Sequence, residues 1–422
     1  MDMQLINNAK ALQAELIGYR RFLHEHAEVG FNLSKTKAFV KERLAEAGYT
    51  PKDCGKAGVM ATVGGESGEH EEHLKSERRA KGVKSTESIL LRADMDAFPI
   101  EEKTGLAFAC KSGNMHACGH DLHTAILLGT AKLLKARETQ LPCKVVFLFQ
   151  PAEEILEGAQ DCLRTGILEE HNVKAALTLH VLTDKALPVG TMIIPAQGVG
   201  APAADYFEIA IRGKACHGST PQNGVDALTV AAHALIALQE LAAREISVAS
   251  PAVLTVGKLI GGSAGNAIAD FARLQGTLRA FDEGVREQVK IRLKEIAQGI
   301  AKTFRASART TFSGGCPTLI NDGEICRKLQ KSIEQVFNEG KILLGEELGS
   351  DVKTRSGGSE DFAYITQKVP SAMLALAAGK GKKTGKGQVY PLHHPKVDFD
   401  EDVLWIGAAA LAAFACYAEK EQ

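Results

Sequence analysis

No charge of either sign dominates this chain. Its 422 residues carry 50 basic and 51 acidic side chains, a net −1. It therefore lacks the basic surplus that binding along a nucleic-acid backbone demands. Long hydrophobic runs are missing too. The stretch from Ile406 to Ala415 falls well short of the roughly 20 residues needed to cross a bilayer. The first residues, Met1-Asp2-Met3-Gln4, offer no basic segment followed by an apolar core, so no secretory signal is expected. Cysteine is present but unpatterned. Nine residues, an odd number without a paired framework, fit a reducing compartment, and a cytoplasmic protein is expected. No internal repeat is found.

What the chain does have is globular in composition, with 45% hydrophobic and 24% charged residues. Its length exceeds what one hydrophobic core usually supports, so two domains are expected. Ile89-Leu90-Leu91, Val145 to Phe149 and Ala175 to Leu179 read as buried strands of a mostly parallel sheet. Leu122 to Ala136 has helical periodicity, and Ser34 reads as the N-cap of a helix closed by Gly48. This rhythm predicts an α/β domain with a central, mixed, mostly parallel sheet and helices on both faces.

The pattern changes after about Ala203. A strand at Phe207 to Ile211, a helix from Val225 to Arg244, strands near Val253 to Ile260 and Ala272 to Phe281, and a helix near Val285 to Phe304 follow. That order predicts a ferredoxin-like α+β insert. From about Thr318 the α/β character returns. The expected division is 1–202 and 314–422 for one interrupted domain and 203–313 for the insert. The stretch 66–88, rich in charge and holding His70 and His73, reads as a solvated loop. The glycine-lysine run Gly379 to Gly387 reads as a flexible one.

The chemistry is carried by four segments. In His116-Ala117-Cys118-Gly119-His120-Asp121-Leu122-His123, Cys118 and His120 sit two apart in a loop that opens into a helix, where the helix dipole favours a thiolate. Gln150-Pro151-Ala152-Glu153-Glu154 follows a strand directly. Of its adjacent carboxylates one can bind a metal while the other accepts a proton. Taken alone, this pair also fits an acidic helix start. His180 ends a third strand, and Leu392-His393-His394-Pro395 precedes the last helix. Asp94 and Asp96 likewise follow a strand, and in open parallel sheets sites gather at such ends. Cys118, His120, Glu154, His180 and His393 make five ligands. Five suit two ions sharing a ligand, with Cys118 as the bridge. Zinc or manganese fits this mixed donor set, and cobalt or nickel is also compatible.

In this order the segments resemble the M20 metallopeptidase family, specifically its amidohydrolase branch of N-acyl amino acid amidohydrolases, hippurate hydrolases and auxin-conjugate hydrolases. The matching residues also include Arg21-Phe22-Leu23-His24, Leu91-Arg92-Ala93-Asp94-Met95-Asp96 and Ser359-Glu360-Asp361-Phe362. The resemblance implies the five ligands above, with His393 rather than His394. It also implies Glu153 as general base and Asp96 as an orienting carboxylate behind the site. The insert would be a lid that also pairs two subunits, giving a homodimer or a dimer-based oligomer. Its His217, in Gly213-Lys214-Ala215-Cys216-His217-Gly218, would reach a neighbouring subunit's site and hold the oxyanion. Asn266 and Arg279 would hold the substrate, and His233 would pack. Cys216, Gln222 and Ala269 depart from the residues usual in relatives.

The expected activity is therefore hydrolysis of the amide bond of N-acyl amino acids, small molecules, with neither membrane nor nucleic acid involved. A dipeptidase or carboxypeptidase of the same family, or a non-catalytic metabolite-binding relative, is the alternative. A zinc deaminase would require a downstream C-x-x-C pair, which is missing.

Overall fold

The computed structural model describes residues 1–65, 87–184, 187–338, 341–345, 358–380 and 389–418. The charged stretch over 66–86, with His70 and His73, lies outside them, as does the glycine-lysine run over 381–388.

In chain order the main elements are α1 (Met3–Ala11), α2 (Gln13–Glu25), α3 (Ser34–Glu46), β1 (Lys52–Cys54), β2 (Gly58–Val63), β3 (Ser88–Asp94), α4 (His120–Lys135), β4 (Lys144–Gln150), β5 (Val173–Leu182) and β6 (Met192–Ile194). Then come β7 (Ala203–Arg212), β8 (Cys216–His217), α5 (Ala227–Glu240), β9 (Ala252–Gly261), β10 (Ala267–Ile268), β11 (Phe271–Ala280), α6 (Glu283–Thr303) and β12 (Ser307–Cys316). The chain closes with α7 (Gly323–Glu334), β13 (Ile342–Leu344), β14 (Ser371–Ala377) and α8 (Leu404–Tyr417). Two compact units divide the chain: Met1–Gly200 with Ile320–Thr354 and Tyr364–Gln422, and Ala201–Leu319 with Arg355–Ala363.

The first unit is built on one sheet of order β1-β2-β4-β3-β5-β14-β6-β13. Its centre is parallel, β4 on β3, β3 on β5 and β5 on β14, while β1, β2 and the β14–β6 contact are antiparallel. β3 is buried at every residue, so both faces of the sheet's centre are covered, as the unbroken apolar run anticipates. α4 lies on this centre and α8 lies on α4. Both helices are buried almost all round, and α8, apolar on every side, shows none of the one-sided pattern of a surface helix.

Two local readings change. Ser34 does not cap α3; its hydroxyl donates to Glu28, whose carboxylate accepts the N–H groups of Lys35 and Thr36 at 3.0 and 2.9 Å. A longer side chain from outside the helix thus does the capping work. The helix expected to reach Arg244 leaves α-geometry at Glu240 and ends in a wider π turn, Leu241–Glu245.

The second unit is a four-stranded antiparallel sheet, order β9-β11-β7-β12, with α5 and α6 packed against it. Its β-α-β-β-α order is completed by a strand the sequence did not announce, β12, which runs on past residue 313 to Cys316. This edge strand, Ser-Ala-Arg-Thr-Thr-Phe, has little apolar content to signal it. Among the described residues no helix is long and apolar enough to cross a membrane.

Candidate metal centre

The sheet of the first unit delivers its functional residues at the carboxyl ends of three neighbouring strands. Asp94 ends β3 in register with Gln150, which ends β4. His180 lies near the end of β5. Cys118 precedes the turn into α4, and that turn requires Gly119. Its φ is +87°, and a Cβ there would lie 2.4 Å from the Val181 side chain. Strained backbone recurs around the site. Ala152, Leu156 and His393 all have positive φ, each costing about 1–3 kcal/mol that the surrounding packing must offset. His393 is fixed by its N–H, which donates to Ala117 O at 2.9 Å, and by stacking on Phe98 at 4.6 Å.

These loops bring the five expected ligands together. Cys118, His120 and His180 present donor atoms all within 4.8 Å of one another, and so do Cys118, Glu154 and His393. Cys118 belongs to both groups. Its Sγ lies 3.5 Å from His180 Nε2, and His393 Nε2 lies 3.4 Å from Glu154 Oε1. Glu153 joins at 3.9 Å from His120 Nε2.

Two imidazoles have their tautomer set by the backbone. His120 Nδ1–H donates to the Asp96 carbonyl at 2.8 Å, and His180 Nδ1–H donates to the Val181 carbonyl at 2.6 Å. Both therefore turn Nε2 inward, the arrangement by which outer partners orient metal-binding histidines. His120 Nε2 and Glu154 Oε1 are buried without a hydrogen-bond partner. Buried polar atoms are rarely left so, and a divalent cation among these sulfur, nitrogen and oxygen donors satisfies both. The residues fit a metal.

The electrostatics agree. Against burial, the adjacent His180 imidazole pulls the Cys118 thiol down to about 6. The flanking Cys118 thiol and Glu154 carboxylate lift His393 to about 10. Burial opposes protonation of His120, yet Asp94 raises it well above its ordinary value. The cluster attracts positive charge, which metal ions would supply in place of these protons.

Asp96 stands behind the ligands. Its Oδ1 accepts the Glu153 N–H at 2.9 Å and its Oδ2 the Glu154 N–H at 3.2 Å, so it shapes the turn that aims both carboxylates. Two residues carried no role in the sequence reading. Asp94 accepts from Arg92 at 2.7 Å and meets His123 Nδ1 at 2.6 Å, while lying 3.7 Å from His120 Nε2. His123 uses its other nitrogen to accept the Val181 N–H at 2.8 Å, which leaves it no lone pair for a metal. Its spacing of three from His120 on one helix face was the available signal. His394 turns away, stacking on Tyr390 at 4.3 Å and accepting the Lys396 N–H.

His217, Asn266 and Arg279 belong to the second unit. His217 is exposed on β8, whose partner β10 begins beside Asn266, and the Gly218 N–H donates to Asn266 O at 2.8 Å. Arg279 lies near the other end of β11 from Phe271, about 26 Å along the strand at roughly 3.3 Å per residue. Within the unit His217 and Asn266 are neighbours and Arg279 is remote from both. His233 stacks on Phe304 at 4.7 Å.

A model of the family described as Peptidase family M20/M25/M40 matches residues 90–417. An N-acetyl-L-cysteine deacetylase of Bacillus subtilis is 36% identical over 399 residues, 94% of this chain and 86% of its own. A thermostable carboxypeptidase of Saccharolobus solfataricus is 31% identical, with 98% of each chain covered. Among solved structures, a Bacillus subtilis protein described as a dinuclear metal binding peptidase from the M20 family is similar at a TM-score of 0.75 and 31% identity, covering 96% of this chain and 98% of its own.

Proposed function

The chain belongs to the amidohydrolase branch of peptidase family M20, and from that premise we propose that it hydrolyses the amide bond of N-acyl amino acids. The observation that carries the reading is the pair of buried, unpartnered atoms His120 Nε2 and Glu154 Oε1, 4.0 Å apart beside the Cys118 thiol. Cys118, His120, Glu154, His180 and His393 would hold two divalent ions, zinc or manganese, with Cys118 shared. When bound, such ions supply Lewis-acid polarisation of the carbonyl and a more acidic water.

The remaining steps belong to the side chains. Glu153, held in its turn by Asp96, takes the proton from the attacking water and passes it to the departing amine nitrogen. His217 from a second copy donates to the carbonyl oxygen as its charge grows. Asn266 beside His217 and, from the other copy because it is remote from both within one unit, Arg279 hold the substrate, since a guanidinium fork matches a carboxylate. The insert, residues 203–313, serves as lid and dimer contact. Support for a homodimer comes from edge strand β9, where Val253, Leu259 and Ile260 stand exposed; unpaired apolar edges invite a partner. Nine free thiols fit a cytoplasmic setting.

The test is metal analysis of the purified protein, then rates across a panel of N-acetyl and N-benzoyl amino acids beside a dipeptide panel. Two ions per chain and faster cleavage of acylated amino acids are expected. Preferential cleavage of dipeptides or of C-terminal residues would give the chain to the second reading, which the similarity to a carboxypeptidase favours. Binding of these compounds without turnover would overturn both.

A further inference from the structure

The reaction outlined above leaves one buried cluster unused. His24 on α2 is 1% exposed and faces a carboxylate at each ring nitrogen. Nδ1 lies 2.8 Å from Asp121 Oδ2 and Nε2 lies 3.1 Å from Glu102 Oε1. Arg20 Nε donates to the same Asp121 oxygen at 2.8 Å, and its Nη1 to Glu401 Oε1 at 3.1 Å.

Each carboxylate leads to a different part of the metal centre. Asp121 is the residue after His120, in the first turn of α4. Glu102 accepts the Cys110 N–H at 2.8 Å through its second oxygen. Its neighbour Lys103 donates its N–H to Pro395 O at 2.7 Å, two residues from His393. Phe98, at the start of the same segment, stacks on the His393 ring. A continuous path therefore runs from His120 through Asp121, His24, Glu102 and Lys103 to Pro395 and His393.

We propose that His24 is a positioning residue that ties the helix turn bearing His120 to the loop bearing His393, and so fixes the spacing of the two ion sites. Burying such charges costs several kcal/mol each unless they are paired, and well-packed apolar residues would hold the helices equally well. What apolar packing lacks is direction. An imidazolium donating at both ends sets the distance and angle between two carboxylates. Burial opposes that charge, but the flanking carboxylates raise His24 to about 9, so both donors are present at neutral pH.

The inference rests on the metal reading, and the experiment separates the two. Zn²⁺ is titrated into chelator-stripped protein against a competing chromophoric chelator, with the melting temperature followed in parallel. His24→Asn retains a donor for Asp121 but loses Glu102, and Glu102→Ala breaks the same link from the other side. Leu16→Ala, on the same helix but outside the network, serves as a control of stability alone. We expect one ion to bind as in the wild type and the other, at Cys118, Glu154 and His393, to weaken ten- to a hundredfold in both network variants. Leu16→Ala should lower the melting temperature and move neither constant. If His24→Asn fails to fold, Glu102→Ala decides. Wild-type affinity for both ions in the folded network variants, or equal weakening in Leu16→Ala, overturns the inference while leaving the metal reading standing. A wild-type chain that takes up no zinc overturns the reading and the inference with it.

Discussion

Asp96 grips Glu153 through the backbone: one carboxylate oxygen receives the Glu153 N–H at 2.9 Å, while the other receives the N–H of Glu154 at 3.2 Å. The same residue takes the Nδ1–H of His120 on its carbonyl. One fully buried aspartate thus orients a proposed base and two proposed ligands.

Asp96→Ala should therefore disturb function and stability together. It strands two N–H groups, each costing about 1–3 kcal/mol if left unsatisfied. Turnover should fall at least about tenfold, and the melting temperature should drop. Steady-state kinetics beside a thermal melt checks both. A variant with full activity would remove Asp96 from the site.

Glu153→Gln keeps the shape of the turn and removes the proton acceptor. Metal content and substrate KM should stay near wild type, while kcat falls by about 10²–10⁴. Unchanged kcat would mean that another group takes the proton.

Gly119→Ala places a Cβ 2.4 Å from Val181 on a backbone of positive φ. Both effects act on the folded state, so a loss of at least about 2 kcal/mol is expected. Urea unfolding measures it. Because the change moves the loop between Cys118 and His120, zinc affinity should fall as well.

His24 gives the protein a specific pH dependence. The groups around it are Asp121, Glu102, Arg20 and His116. Of these, burial holds His116 down to about 3, so it is neutral. A folded pKa of about 9 against an ordinary 6.5 means that folding favours the protonated ring. Its contribution is complete below pH 6.5 and is lost as pH rises through 9. At about 1.36 kcal/mol per unit, its size is at most about 3 kcal/mol. Melting temperatures of the wild type should fall more steeply over pH 6.5 to 9 than those of His24→Asn, and parallel curves would refute the charge assignment.

Ile260→Lys puts a charge on the exposed edge strand β9, the device by which natural edges resist pairing. Light scattering should report the proposed dimer for the wild type and a shift towards monomer for the variant. A monomeric wild type would overturn the proposed dimer, and an unchanged dimer mass in the variant would place the contact elsewhere.

The central strands were legible because an unbroken apolar run such as Ile89-Leu90-Leu91 must be covered on both faces, and all of β3 is buried. β12 was not legible, since an edge strand with half its side chains in water needs few apolar residues. Ser34 misled for a related reason. A cap is chosen by which acceptor reaches the free N–H groups, and Glu28 reached them from outside the helix.

The sequence alone determined the class of fold, the family and a short list of candidate ligands, because residue periodicity and motif spacing are local properties of the chain. Only the tertiary structure decided which nitrogen of His120 and His180 faces inward, why His123 is spent on Asp94 and Val181, and how His24 joins Asp121 to Glu102. Hydrogen bonds depend on direction and on a few tenths of an ångström between residues far apart in the chain, 381 positions for Arg20 and Glu401. No pattern along the chain encodes that geometry before the sheet has brought its loops together.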